Sequence, residues 1–169
     1  MASINGIQIK GLKKFRDHEG APVFQGNVYY KGKKLGFWSQ DSWGGPDIFD
    51  FDTRVLDAEV EKYKASDRVE PEYKEYTSLD ILLGDLLTLM DREKTYKKAM
   101  KGGWKAYVEV SDGYHVNFYY TPEDNEKDIK ASPYYKQFVK NAEKEFFKDA
   151  ETQIVIYTIH DTNAFDIAV

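Results

Sequence analysis

The sequence predicts an α+β fold: a single domain whose antiparallel sheet is built from an N-terminal three-stranded meander, a second hairpin and a C-terminal strand pair, packed with about three helices. Three observations carry that expectation. Aromatic and β-branched runs come in adjacent pairs joined by short glycine-containing turns, which is hairpin chemistry. The stretches with helical apolar spacing stand apart from those pairs. Strands that cluster as hairpins, without a helix between each one and the next, favour antiparallel pairing over a doubly wound parallel sheet.

Taken in order, Ile7 and Ile9 alternate with polar residues and open a first strand toward Phe15, which Gly20 and Pro22 close. Val23 to Tyr30 and Leu35 to Ser39 form a hairpin across Lys31, Gly32, Lys33 and Lys34. From Gln40 to Asp52 periodicity is lost, and Pro46 beside Gly44 and Gly45 marks an irregular loop. Asp52 or Thr53 caps a helix whose stripe is Leu56, Val60 and Tyr63. A charged connector from Asp67 to Tyr76 leads to the strongest helical pattern, begun by Ser78, with Leu79, Leu82, Leu83, Leu86, Leu87 and Met90 on one face. Gly84 inside it is expected where packing is close, and Gly102 with Gly103 ends it. Trp104 to Val110 and Tyr114 to Tyr120 pair across Ser111, Asp112 and Gly113. An acidic loop from Pro122 to Asp128 follows, then Ser132 and Pro133 start a helix that buries Tyr135, Phe138, Val139, Ala142 and Phe146. Gln153 to His160 and Ala164 to Val169 are the last strands, so the organisation reads as 1–52, 53–103 and 104–169 within one domain.

Composition narrows the function classes. The 169 residues suit one core, and 41% hydrophobic with 31% charged side chains describes a folded chain with a well hydrated surface. With no cysteine, disulfides, thiolate zinc sites and cysteine nucleophiles are excluded, and three histidines argue against a His-rich metal site. No apolar run reaches the ~20 residues of a membrane span and MASINGIQIK has no signal-peptide core, so a cytoplasmic protein without membrane contact is expected. The net charge of −5 is unevenly spread: residues 1–40 hold seven basic and two acidic side chains, a balance of +5, which leaves −10 for the rest. Such polarity favours a charged partner.

Three constellations are candidates for chemistry. Asp47, Asp50 and Asp52 follow a glycine pair and can supply oxygen ligands to Mg²⁺ or Mn²⁺, although a turn role for Asp47 and a capping role for Asp52 account for them more simply. His18 with Glu19, His115 and His160 contain the groups of a metal-independent ribonuclease, yet His115 and His160 fall where hydrogen-bonded structural histidines are commoner. Phosphate loops, nucleophile elbows and HExxH helices are absent, and no cofactor is expected. The third is a basic, aromatic meander: Lys13, Lys14, Arg16, Lys31, Lys33 and Lys34 interleave with Tyr29, Tyr30, Trp38 and, in the following loop, Trp43. Lysines neutralise phosphates and exposed rings stack on unpaired bases, so this is the expected surface for nucleic acid or a protein partner. In a pleated strand Tyr29 and Tyr30, or Phe37 and Trp38, cannot both point inward unless both faces are covered.

The opening INGIQIKGLKKF and the segment KKLGFWSQDSWGGPD, in a cysteine-free, acidic, tyrosine-rich chain, resemble the small accessory proteins of bacterial phages and conjugative elements, among them inhibitors of Cas9-type defence. The likeness covers mainly residues 4–52 and carries no assigned functional position. It implies a protein that blocks a host defence nucleoprotein, by occupying a protein surface or by engaging the guide RNA. The competing expectations are a small ribonuclease acting on structured RNA and a non-enzymatic protein-interaction domain.

Overall fold

The structure, a computed structural model, describes residues 1–112, 115–145 and 152–169. Gly113 of the second predicted turn, the strand start at Tyr114 and the predicted core position Phe146 lie outside the described residues. In chain order the strands are β1 (Ser3–Ile4), β2 (Ile7–Arg16), β3 (Pro22–Tyr30), β4 (Lys33–Ser39), β5 (Ile48–Phe49), β6 (Ala106–Ser111), β7 (Val116–Thr121), β8 (Gln153–Thr158) and β9 (Asp166–Ile167). The helices are α1 (Asp57–Ala65), α2 (Leu79–Lys101), α3 (Glu126–Ala131) and α4 (Pro133–Glu145), with 3-10 turns at Thr53–Leu56 and Pro71–Tyr76. The fold is α+β.

The chain divides into two compact units, residues 1–91 with 165–169 and residues 92–164. The division falls inside α2, between Asp91 and Arg92. Among the described residues no helix is long and apolar enough to cross a membrane.

The first unit holds a six-stranded sheet in the order β5-β4-β3-β2-β1-β9. Its meander β2-β3-β4 is antiparallel as expected. Ile7 and Ile9 of β2, Val28 of β3 and Trp38 of β4 occupy one face and are buried. Gly26 lies opposite Trp38, and a Cβ there would come within 2.6 Å of Ile9 Cγ2, so any larger residue would force its neighbours to shift. Helix α1 is tied to this face at Glu59: Asn5 donates from Nδ2 to its backbone carbonyl (3.1 Å) and the Tyr30 hydroxyl to its carboxylate (2.6 Å). Leu56, Val60 and Tyr63 are buried as the stripe predicts, and the Tyr63 hydroxyl donates to Asp85 of α2 (2.9 Å).

The second unit holds a three-stranded antiparallel sheet, β7-β6-β8. Ala106 and Val108 of β6 pack with Ile129 and Tyr135 of the two short helices, flanked by Tyr119, Phe138, Val139 and Ile156. On the other face, buried Glu109 accepts from the Tyr107 hydroxyl and from Arg92 Nε (2.9 Å) and Nη2 (2.6 Å).

Several elements differ from the sequence expectation. The two terminal strands do not pair with each other: β8 lies antiparallel to β6, while β9 lies parallel to β1. Strand β1 was not expected, and Asn5 and Gly6, at φ 50° and 77°, turn it into β2 as a type I′ pair. Loop residues Ile48 and Phe49 add a short edge strand to β4. Asn125 caps α3 by accepting from the Asp128 N–H, which makes a helix of part of the predicted acidic loop. The expectation of close packing at Gly84 fails, since a Cβ there would meet nothing within 4 Å.

Candidate nucleic-acid interface

Two irregularities in the meander decide what its surface presents. Between Lys10 and Lys13 the register of β2 against β3 shifts, so Gly11 and Leu12 together face Gly26. Gly11 has φ +64°, the left-handed conformation such a bulge uses. A second shift in β4 leaves Leu35 as the extra residue between Lys34 and Gly36. Paired residues in antiparallel strands share a face. The face opposite the core therefore carries Gln8, Lys10, Lys13 and Phe15 from β2, then Tyr29, Asn27, Gln25 and Val23 from β3, and Lys34, Phe37 and Ser39 from β4. Strict alternation without bulges would have put Lys13 and Lys34 on the other side.

The bulges thus gather Lys10, Lys13 and Lys34 with Tyr29, Phe37 and Phe15 on one face. Lys10 Nζ lies 4.4 Å from the centre of the Tyr29 ring. Among the described residues the ion pairs involve none of Lys10, Lys13, Lys14, Lys33 and Lys34, so their charges are uncompensated by carboxylates. Beyond Gln25 the strand β4 ends its pairing with β3, and every residue of β2 from Gly11 to Arg16 is exposed. Lys14 and Arg16 pair with Phe24 and Pro22 on the core-side face of this overhang, with Lys14 Nζ 5.7 Å from the Phe24 ring centre.

The predicted binding residues separate into distinct groups. Lys13, Tyr29 and Lys34 share the outer face, whereas Lys14 and Arg16 lie on the core-side face of the overhang. Lys33 pairs with Tyr30 on the core side. Tyr30 is committed to Glu59, and Lys31 reaches the same carboxylate at 3.8 Å while covering the Tyr30 ring, so both serve the α1 attachment. Lys62 Nζ also donates to this carboxylate (2.9 Å), and the hydrogen bonds from Tyr30 first and Lys62 next hold the Glu59 carboxyl below its usual range. Trp38 is withdrawn from the surface set: it is 0% exposed, and its indole N–H donates to Asp47 (2.7 Å). Phe37, its neighbour, takes the outer face instead.

Trp43 lies in the loop after β4, 75% exposed, stacked on His18 with ring centres 4.6 Å apart and planes at 17°. His18 Nδ1 lies 2.9 Å from the Ser42 carbonyl and Nε2 3.6 Å from Glu19. That stack joins residues 25 positions apart, so adjacency along the chain carried no sign of it. His115 is held in its hairpin by Asp112, which accepts from its backbone N–H (2.7 Å) and lies 3.1 Å from Nδ1. His160 follows β8 in a turn where Thr158 Oγ1 accepts its N–H. Each histidine thus has a local structural setting.

The three aspartates turn to separate donors. Asp47 accepts from Trp38, and burial, its strongest influence, raises its carboxyl above the ordinary value. Asp50 accepts from the Phe37 N–H. Asp52 caps the 3-10 turn at Arg54 N–H and pairs with the Arg54 guanidinium at 2.7 Å. Among the described residues no three metal-ligating side chains converge. Comparison of the chain with protein-family models, curated proteins and solved structures finds no match.

Proposed function

We propose that this chain is a non-enzymatic RNA-binding protein that grips single-stranded or structured RNA on the outer face of the β2-β3-β4 meander. The observation that carries the reading is the gathering of Lys10, Lys13 and Lys34 with Tyr29, Phe37 and Phe15 on one face, without carboxylate partners among the described residues. Lysines supply the phosphate attraction and the rings supply base-sized apolar surface between them. The resemblance to mobile-element accessory proteins extends the proposal: the RNA is the guide of a Cas9-type host defence nucleoprotein, and binding inhibits it.

The test is titration with a labelled guide-type RNA at several salt concentrations. The expected plot of log affinity against log salt is linear with a slope of roughly −2 to −4, as for three to six phosphate contacts. Replacing Lys10, Lys13 and Lys34 together by glutamate is expected to abolish binding, with the circular dichroism spectrum unchanged. Binding that survives this triple substitution, or shows no salt dependence, overturns the reading. Incubating the RNA with and without EDTA addresses the ribonuclease alternative, and intact RNA in both is the expected result.

A further inference from the structure

The most exposed large apolar side chain among the described residues is also one of the most carefully held. Trp43 is 75% exposed, yet its loop is fixed at several points. Asp41 accepts the Trp43 N–H at Oδ1 (3.2 Å) and the Gly45 N–H at Oδ2 (2.8 Å). Gln40 is bound to Phe24 at both backbone and side chain, 2.9 and 3.0 Å, which anchors the loop to the end of β3. His18 covers one side of the indole and is itself bound to Ser42. An indole kept in water by its own loop is preorganised for a flat partner, because little conformational freedom remains to be lost on binding. The neighbouring Ser42, Gly44 and Gly45 contribute no apolar side chain, unlike the surround of a protein-docking anchor.

Charge identifies that partner. Phe24, to which Gln40 is bound, is the cross-strand neighbour of Lys14, and Arg16 faces Pro22 two pairs further on, on the same face, so both cations lie at the same end of the sheet as the loop. Arg16 spends one donor on the Gly20 carbonyl (2.7 Å) and keeps others. Of the nearby acids, Asp17 and Asp41 direct oxygens at backbone N–H groups of their own turns, and Glu19 lies 3.6 Å from His18 Nε2. We propose that Trp43, backed by His18, is a stacking post for one unpaired nucleobase, with Lys14 and Arg16 attracting the adjoining phosphates. This rests on the RNA-binding reading and adds a site off the lysine face.

The experiment compares a labelled single-stranded RNA of roughly ten nucleotides, within the range of single-strand sites, with an oligonucleotide of the same length that lacks the bases. Trp43→Ala is expected to weaken binding of the base-bearing RNA about tenfold and to leave the abasic chain unchanged. Trp43→Phe is expected to restore most of the affinity, and the melting temperature of both variants to match the parent. If the parent binds both oligonucleotides and Trp43→Ala changes neither, the stacking post is wrong while the lysine face stands. Equal weakening on both also removes it, since the indole would then act without a base. If the parent binds neither at low salt, the RNA-binding reading falls and the post falls with it.

Discussion

Glu59 shows how much a single residue can hold in this chain. A buried carboxylate is tolerated only with partners, and here it accepts from Tyr30 and Lys62 and attracts Lys31. Glu59→Ala leaves those groups facing a gap and is expected to cost about 3 kcal/mol in urea unfolding, with Glu59→Gln losing less. Because its folded pKa is lowered, its contribution is present above the usual glutamate range and is lost as pH falls through the depressed folded value. Nothing in the local sequence marks Glu59 among the acids of α1, since its role depends on Tyr30, 29 positions away. The aromatic doublets were more legible: pleat alternation requires that Tyr29 and Tyr30, and Phe37 and Trp38, part company. Register puts Tyr30 and Trp38 on the core side, where Glu59 accepts from the Tyr30 hydroxyl and Asp47 from the Trp38 indole N–H.

Among the elements, two glycines with similar sequence signals behave oppositely. Gly26 in β3 has Ile9 Cγ2 where a Cβ would go, and the methyl belongs to a stiff, buried side chain. Gly26→Ala is therefore expected to cost about 1–3 kcal/mol by overpacking. Gly84 in α2 has open space, so Gly84→Ala is expected to stabilise by up to about 1 kcal/mol through helix propensity alone. Thermal melts of the two variants should move in opposite directions. Helix α2, the stripe of α1 and the antiparallel pairs β3-β4 and β6-β7 were readable because their periods are local, although Ser111, expected in the second turn, is the last residue of β6. Strand β1 also had a signal in Asn5 and Gly6, an Asn-Gly turn whose flanks are too short to show alternation. The bulge at Gly11 and Leu12 likewise had its mark, a glycine inside a strand pattern, but the mark does not say which residue becomes the extra one.

At the scale of the whole molecule, the titrating groups predict an asymmetric response to pH. Burial, reinforced by Asp85, holds Tyr63 strongly in its neutral form, and burial among Glu123 and the rings of α4 pushes Tyr119 up to about 12. Raised folded values mean stability that is intact below the ordinary tyrosine value of about 10 and is lost as pH rises through the folded pKa. The melting temperature is expected to fall above about pH 10, less steeply in Tyr119→Phe, whereas on the acid side Glu59 and Asp47 oppose each other and soften the change. Alternating runs, turn residues and the leucine face of α2 determined the α+β class and the antiparallel meander, and the placing of lysines and acids determined the basic character of the first 40 residues. Only the tertiary structure decided that β9 returns to β1, that the strands form two sheets, and that Lys10, Lys13 and Lys34 share a face while Trp38 leaves it. The reason is physical: period and turn chemistry act within a few residues, but a face is assigned by register, and one extra residue in a strand reverses every side chain beyond it.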